Sequence, residues 1–344
     1  MHAALVTGKE TLTLKEFADP RVSPGKVVVD ISYCGICGTD LHAWLSGAPY
    51  NPAICGHEWV GHAAEVDSAV TTCKEGDRVA VGGRSACGQC STCKRGDAEH
   101  CEVAFAAICG LGPMAAEHGG FAPRIAFDGA RLYGVAPSLS DEQASLIEPT
   151  AIAVRAVRRT DIRLGDSVVV IGGGPIGLLV LQCARAAGAG TCVLLEPAAE
   201  RRKIAAITGA DLVLDPTKED ATEQLLEHLG SGGADVVFEC AGIPATINQA
   251  VTLARRGGVV SLVGVATGTA DIEAASWLVK EIRLSASIAA AREEFFIAQS
   301  LIDDGRIQVD KLHTSTVKLA DIDTAFAGLA RNPEQVKVLV DPRS

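Results

Sequence analysis

Ser167-Val-Val-Val-Ile-Gly-Gly-Gly-Pro-Ile-Gly177 runs from an apolar strand through a glycine turn into a helical pattern. Within it, G-x-G-x-x-G falls on Gly172, Gly174 and Gly177. Alone the pattern is weak. Between a strand and a helix it becomes a candidate dinucleotide site, because each glycine has a physical task. Gly172 makes the tight turn, Gly174 lets the backbone approach a pyrophosphate, and Gly177 lets helix and strand pack closely. Pro175 suits the first helical turn, where its missing donor costs nothing. The helix start offers free N–H groups to phosphate. The next apolar run ends at Glu196, 22 residues beyond Gly174. An acid there accepts hydrogen bonds from ribose hydroxyls and repels a 2′-phosphate, which favours NAD over NADP. Arg201 and Arg202 stand close enough to complicate that preference.

Outward from this turn, apolar runs alternate with helical spacing. Residues 167–171, 191–195, 211–214, 234–238, 258–263 and 282–287 read as six strands. Residues 176–187, 198–208 and 218–229 read as helices between them. Such alternation predicts βαβ units and a parallel sheet. Residues 1–150 differ. They hold six of the eight histidines, nine of the twelve cysteines and short alternating stretches at 26–31 and 77–81, which predicts an irregular β domain. The tail carries a helical pattern at 293–304 and a strand-like run at 335–340, and it is expected to return to the first domain.

The 344 residues suit about two domains. With 48% apolar and 21% charged residues, the chain is ordinary for a globular protein. A net charge of −11 without a basic block excludes an electrostatic footprint for nucleic acid or anionic lipid. The longest uncharged run, 167–184, is broken by glycines and a proline, so it is not read as a membrane span. Residues 1–14 lack a signal-peptide core. A cytoplasmic setting is therefore expected, where cysteines serve as metal ligands or buried thiols rather than disulfides.

Two groups of residues read as metal sites. Cys87, Cys90, Cys93 and Cys101 follow the spacing C-x2-C-x2-C-x7-C. Four nearby thiolates match a closed tetrahedral zinc site, structural because no position stays open for chemistry; an iron–sulfur cluster is the rival. The second group is dispersed: Cys37, His57, Glu58 and Glu148 supply sulfur, nitrogen and oxygen donors. Spacing alone does not bring them together. His57 and His62 are five apart, which excludes the H-E-x-x-H protease motif.

The order Cys37-Gly-Thr-Asp, Gly56-His-Glu, the four-cysteine lobe, Glu148-Pro and the glycine turn resembles the zinc-dependent medium-chain dehydrogenases/reductases of the alcohol dehydrogenase superfamily. The likeness is greatest to the branch holding sorbitol, threonine and butanediol dehydrogenases, and it spans nearly the whole chain. It implies an α/β protein: a GroES-like irregular β catalytic domain (1–151, with a structural zinc lobe at about 87–101), a Rossmann doubly wound parallel sheet domain (152–287) and a C-terminal return (288–344). It places Cys37 and His57 on a catalytic zinc, with Glu58 and Glu148 ligating the metal or holding its water. Asp40 matches a carboxylate that orients the zinc histidine. Thr39 and His42 match a proton relay. Glu196 and Arg201 match adenosine-ribose contacts, Ile176 a phosphate-loop contact, and Val263-Gly264-Val265 a segment passing the nicotinamide. Glu148 stands where the liver-type alcohol dehydrogenases carry a cysteine, which argues against that branch.

The resemblance implies reversible oxidation of a secondary alcohol, diol or polyol to a ketone, with two zinc ions per chain and NAD. Zinc acts as Lewis acid, the nicotinamide carries the hydride, and His42 is the final acid or base. The alternatives are an NADPH-linked carbonyl reductase of the same fold and a non-catalytic NAD-binding relative. A small-molecule substrate, no nucleic acid or membrane partner and a homo-oligomer, dimer or tetramer, are expected. Trp44 and Tyr50 are candidates for the substrate pocket or for packing. Cys34, Cys55, Cys73, Cys109, Cys183, Cys192 and Cys240 are expected as core thiols.

Overall fold

The computed structural model describes residues 1–47, 51–83, 86–108, 117–230, 232–332 and 334–344. Tyr50 and Cys109 lie outside them. Six strands form a parallel sheet: Ser167–Ile171, Thr191–Leu195, Leu212–Leu214, Ala234–Glu239, Ala254–Leu262 and Arg283–Ala286. They lie side by side in the order third, second, first, fourth, fifth, sixth, and each pairing is parallel. That is the Rossmann order. Its reversal between the first and fourth strands opens a crevice at the strands' carboxyl ends.

The first strand shows why these runs are apolar without alternation. Val168 and Val170 pack with Leu178 of the helix Pro175–Ala186, while Val169 and Ile171 pack with Leu225 and Val251 on the opposite face. Both faces are buried, so every position is apolar. The fifth strand begins at Ala254, earlier than the expected 258. Its register shifts opposite Ala234 and Val236, and Gly257 at φ +72° accommodates the irregularity. Arg255 Nε donates to Asp235 Oδ1 at 2.6 Å across it.

A second sheet has seven strands. Along it lie His313–Lys318, Lys337–Asp341, Lys26–Gly35, Glu58–Val66, Arg78–Val81 and Leu132–Gly134, with Arg124–Asp128 also paired to Lys26–Gly35. The last strand of the chain therefore lies beside the strand that leads into Cys37, with Leu339 opposite Gly35. Residue 151 lies inside the helix Ile147–Arg158. That helix packs on Val60, Ala80 and Tyr133 of this sheet and on the helix Pro175–Ala186 beside the parallel sheet. One core thus fixes the two sheets against each other. Trp44 belongs to the neighbouring core: its ring meets Phe326 edge-on and Nε1 donates to Asp323 Oδ1 at 3.3 Å. It packs there, in the core.

The glycine turn is held by close contact. A Cβ on Gly177 would overlap the Gly172 carbonyl oxygen, whereas one on Gly174 would meet nothing nearer than an Arg201 nitrogen at 3.9 Å. Gly177→Ala is expected to lower unfolding stability by about 1–3 kcal/mol, the usual cost of overpacking. Gly174→Ala is expected to change it by less than about 1 kcal/mol. Urea unfolding of both variants checks this; equal midpoints would contradict the close-approach reading.

Candidate metal and cofactor site

The strand Lys26–Gly35 delivers Cys37 to the start of the helix Gly38–Ser46. Its neighbour begins at Glu58, directly opposite Gly35. This register brings one ligand atom each of Cys37, His57 and Glu58 within 4.8 Å of one another. Gly35 is needed there, because a Cβ would strike the Glu58 carboxylate.

His57 Nδ1 lies 2.8 Å from the Ile54 carbonyl. A carbonyl only accepts, so Nδ1 carries the proton and Nε2 keeps its lone pair for a metal. Asp40 was expected to orient this ring. Its Oδ1 lies 3.8 Å from Nδ1, and its carboxylate also accepts from the backbone N–H groups of Cys37 (3.1 Å) and Gly56 (3.2 Å). Asp40, fully buried, thus braces the two loops that carry the ligands.

Glu148 opens the helix Ile147–Arg158. Burial pushes its carboxyl up to about 7; Glu58 and Asp40 add to the rise, and His57 and Lys337 oppose it. Burial opposes a charged His57, yet Cys37, Asp40 and Glu148 hold its imidazole well above the ordinary range. The donors are therefore rich in negative charge and draw protons for want of another cation. Thiolate, imidazole and carboxylate in this arrangement fit a zinc ion.

One cation is built in. Lys337 Nζ donates to Glu58 Oε2 at 2.6 Å and to the Ile36 carbonyl at 3.0 Å. Both side chains are 1% exposed. Lys337 escaped the sequence reading; its signal is a lone charge within the apolar run Val336-Lys-Val-Leu-Val340.

A cleft of about 510 Å³ connects these residues to the glycine turn. Cys37, Thr39, His42, Glu58 and Lys337 line one end. Gly172, Gly174, Pro175, Ile176, Glu196, Arg201, Val263, Gly264 and Val265 line the rest. Gly177 packs below, as its task requires. Thr39 Oγ1 is 3.7 Å from Cys37 Sγ, and His42 is exposed. Cys240, expected in the core, is half-buried and lines the cleft because the fourth strand ends there. Glu239 just before it was also missed. Its Oε1 accepts from the N–H groups of Ala241 and Gly242 at 2.9 Å and the Thr246 hydroxyl at 2.8 Å. This buried carboxylate shapes the loop facing Gly264, where a Cβ would strike Gly242.

Glu196 Oε2 accepts from Gly173 N–H at 2.6 Å and Oε1 from Ala198 N–H at 2.8 Å. Each oxygen retains a lone pair for a ribose hydroxyl. Open space above Gly174 and the free N–H groups of the following helix start suit a pyrophosphate.

The sulfurs of Cys87, Cys90, Cys93 and Cys101 also cluster within 4.8 Å. Cys87–Cys93 and Cys90–Cys101 are 4.0 and 3.9 Å apart. A tetrahedral zinc with Zn–S of about 2.3 Å sets an edge near 3.8 Å. Backbone N–H groups of Cys87, Gln89, Cys90 and Ala104 point at these sulfurs. Burial and the neighbouring Cys90 push Cys93 up to about 12, so full ionisation calls for a cation among the sulfurs. His100 is exposed on Asp97, away from the cluster.

Two family models match the chain: Alcohol dehydrogenase GroES-like domain over 23–137 and Zinc-binding dehydrogenase over 175–304. The chain is 33% identical over 357 residues to (R,R)-butanediol dehydrogenase of Bacillus subtilis, covering 99% of this chain and 100% of that one. The crystal structure of the B. subtilis 2R,3R-butanediol dehydrogenase superposes with a TM-score of 0.85 at 32% identity, covering 99% of both chains. Sorbitol dehydrogenase of B. subtilis is 34% identical, over 77% of this chain and 75% of its own. A Sinorhizobium meliloti protein assigned to the zinc-binding dehydrogenases, crystallised with NADP, has a TM-score of 0.87 at 30% identity over 99% of both chains.

The buried ion pair allows a direct test. Lys337→Met leaves Glu58 unpaired and is expected to destabilise the metal-free protein by about 3–5 kcal/mol. Adding Glu58→Gln should restore most of the loss. Denaturant unfolding of the single and double variants checks it; additive losses would contradict the pairing.

Proposed function

The chain belongs to the zinc-binding alcohol dehydrogenase family, and on that premise we propose that it oxidises a secondary alcohol, diol or polyol reversibly to a ketone, using zinc and NAD. The observation that carries this reading is the single cleft joining Cys37 and Glu58 to the glycine turn and Glu196. When bound, the metal supplies Lewis acidity toward the substrate oxygen and the nicotinamide carries the hydride.

The chain's own residues do the rest. Cys37, His57 and Glu58 hold the metal, and Glu148, outside that close group but electrostatically coupled to His57 and Glu58, ligates it or holds its water in another state. Asp40 and the Ile54 carbonyl fix the ligand loops and the imidazole tautomer. Thr39 and His42 lie where a hydroxyl proton leaves toward solvent. Glu196 binds the adenosine ribose hydroxyls and disfavours a 2′-phosphate. Cys87, Cys90, Cys93 and Cys101 hold a second, structural zinc. The substrate class follows the butanediol and sorbitol dehydrogenases to which the chain is similar.

Two further parts of the reading concern setting. Four reduced thiols in one site suit a reducing, cytoplasmic compartment, and no helix among the described residues is long and apolar enough to cross a membrane. The exposed Leu278 and Val279, with Leu284 on the edge strand Arg283–Ala286, support a homo-oligomer.

NADH formation with secondary alcohols, vicinal diols, sugar alcohols and L-threonine tests the proposal, with NAD and NADP in parallel. At least about tenfold preference for NAD is expected, equivalent to about 1.4 kcal/mol. Cys37→Ala should lower turnover by about 10³ or more, the scale of losing several kcal/mol of charge stabilisation. Preference for NADPH with carbonyl substrates would select the reductase alternative. No turnover with two zinc ions bound would point to an unusual substrate or the reductive direction, while one zinc or none at Cys37, His57 and Glu58 would select the non-catalytic relative.

A further inference from the structure

Arg201 crosses the cleft between the two halves of the molecule. It lies in the first turn of the helix Ala199–Ile207. Its Nε and Nη2 donate to the Gln335 carbonyl at 3.1 and 2.7 Å. Its Nη1 is the nearest atom to a Cβ built on Gly174, so it faces the position taken by a cofactor phosphate. A second contact joins the same elements: Glu334 Oε2 accepts from Glu200 N–H at 2.7 Å, satisfying a donor of the helix start. Residues 334–337 lead into the last strand, and Lys337 on that strand holds Glu58. Arg201, facing Gly174, therefore holds the Gln335 carbonyl, and two residues further along the same chain segment Lys337 holds Glu58.

We propose that Arg201 is a positioning residue, a latch that fastens residues 334–337 to the cofactor turn and so places the Lys337–Glu58 pair relative to the bound dinucleotide. The proposal rests on the reading of the cleft as a dinucleotide site. A guanidinium suits the task because its planar fork spends two nitrogens on one carbonyl and leaves a third for an anion. A lysine ammonium is a point charge on a flexible stem and does not span both. Glu334 adds a fastening that does not line the cleft.

Hydrogen exchange measured by mass spectrometry tests the latch on the intact protein with and without NADH. The amides of Val336 and Lys337 report it, since they donate to Thr314 Oγ1 at 3.3 Å and the Leu312 carbonyl at 3.0 Å. In the wild type, NADH should slow exchange at 172–176 and at 336–337 together. With Arg201→Met and saturating NADH, protection at 172–176 should persist while exchange at 336–337 rises about tenfold. Arg201→Lys should give the same rise, and Glu334→Gln a smaller one of about threefold with NADH affinity unchanged. Unchanged exchange at 336–337 in both Arg201 variants overturns the latch, as does full protection in the lysine variant. If NADH protects neither segment of the wild type and binds with no fluorescence change, the cofactor reading fails and the latch falls with it.

Discussion

Glu58 and Lys337 meet at 2.6 Å, 279 positions apart in sequence and each almost wholly out of water. Removing either ion from water costs several kcal/mol, so neither is tolerable without the other. The pair forms only when the last strand docks beside Lys26–Gly35. Much else follows from that condition. Gly35 has no side chain because the carboxylate occupies the space. The Ile36 carbonyl turns inward to accept from the ammonium. The carboxylate among the candidate donors of the amino-terminal half thus lacks its counter-ion until the carboxyl-terminal end arrives.

One lysine does not balance the site. Cys37, Glu148 and Asp40 add negative charge around His57, and a divalent cation answers that excess where protons answer it poorly. The four-cysteine lobe poses the same problem in a simpler form: sulfurs at tetrahedral edge distances, with N–H donors turned toward them. The difference is access. The lobe surrounds its centre with four ligands from one short stretch of chain. Cys37 and Glu58 line a cleft that continues to the glycine turn. Openness toward a cofactor, more than the identity of the donors, is why we propose the second site as the one for chemistry.

What the sequence made legible follows the range of each signal. The first two strands of the parallel sheet matched their apolar runs residue for residue, because burial on both faces leaves no polar interruption. The lobe was legible because its ligands are close in sequence. Lys337 and Glu239 were not, since a charge at the end of an apolar run reads as a solvent-facing residue until its partner is known. Trp44 was ambiguous for a related reason: an aromatic ring serves a pocket or a core equally, and Asp323 and Phe326, which decide the matter, are almost 280 residues away. Asp40 was found, but its carboxylate also accepts from loop backbone, which no motif encodes.

The cofactor end shows how a carboxylate governs charge that would otherwise oppose it. Glu196 is nearly fully buried and holds two backbone N–H groups, so it shapes the turn whether or not a ribose is present. Two arginines stand within six residues of it, enough to invite a 2′-phosphate. Both are engaged. Arg202 Nη1 donates to the carbonyls of Glu196 and Pro197 at 2.8 and 2.6 Å and faces Asp215 at 3.4 Å. Arg201 spends two nitrogens on Gln335. To recruit Arg202 for a 2′-phosphate, the chain would have to release several good acceptors; Arg201 keeps Nη1, which faces Gly174, and a phosphate drawn to either would be desolvated beside Glu196. The preference for NAD that we propose therefore rests on this pinning of Arg202 as much as on the acid itself.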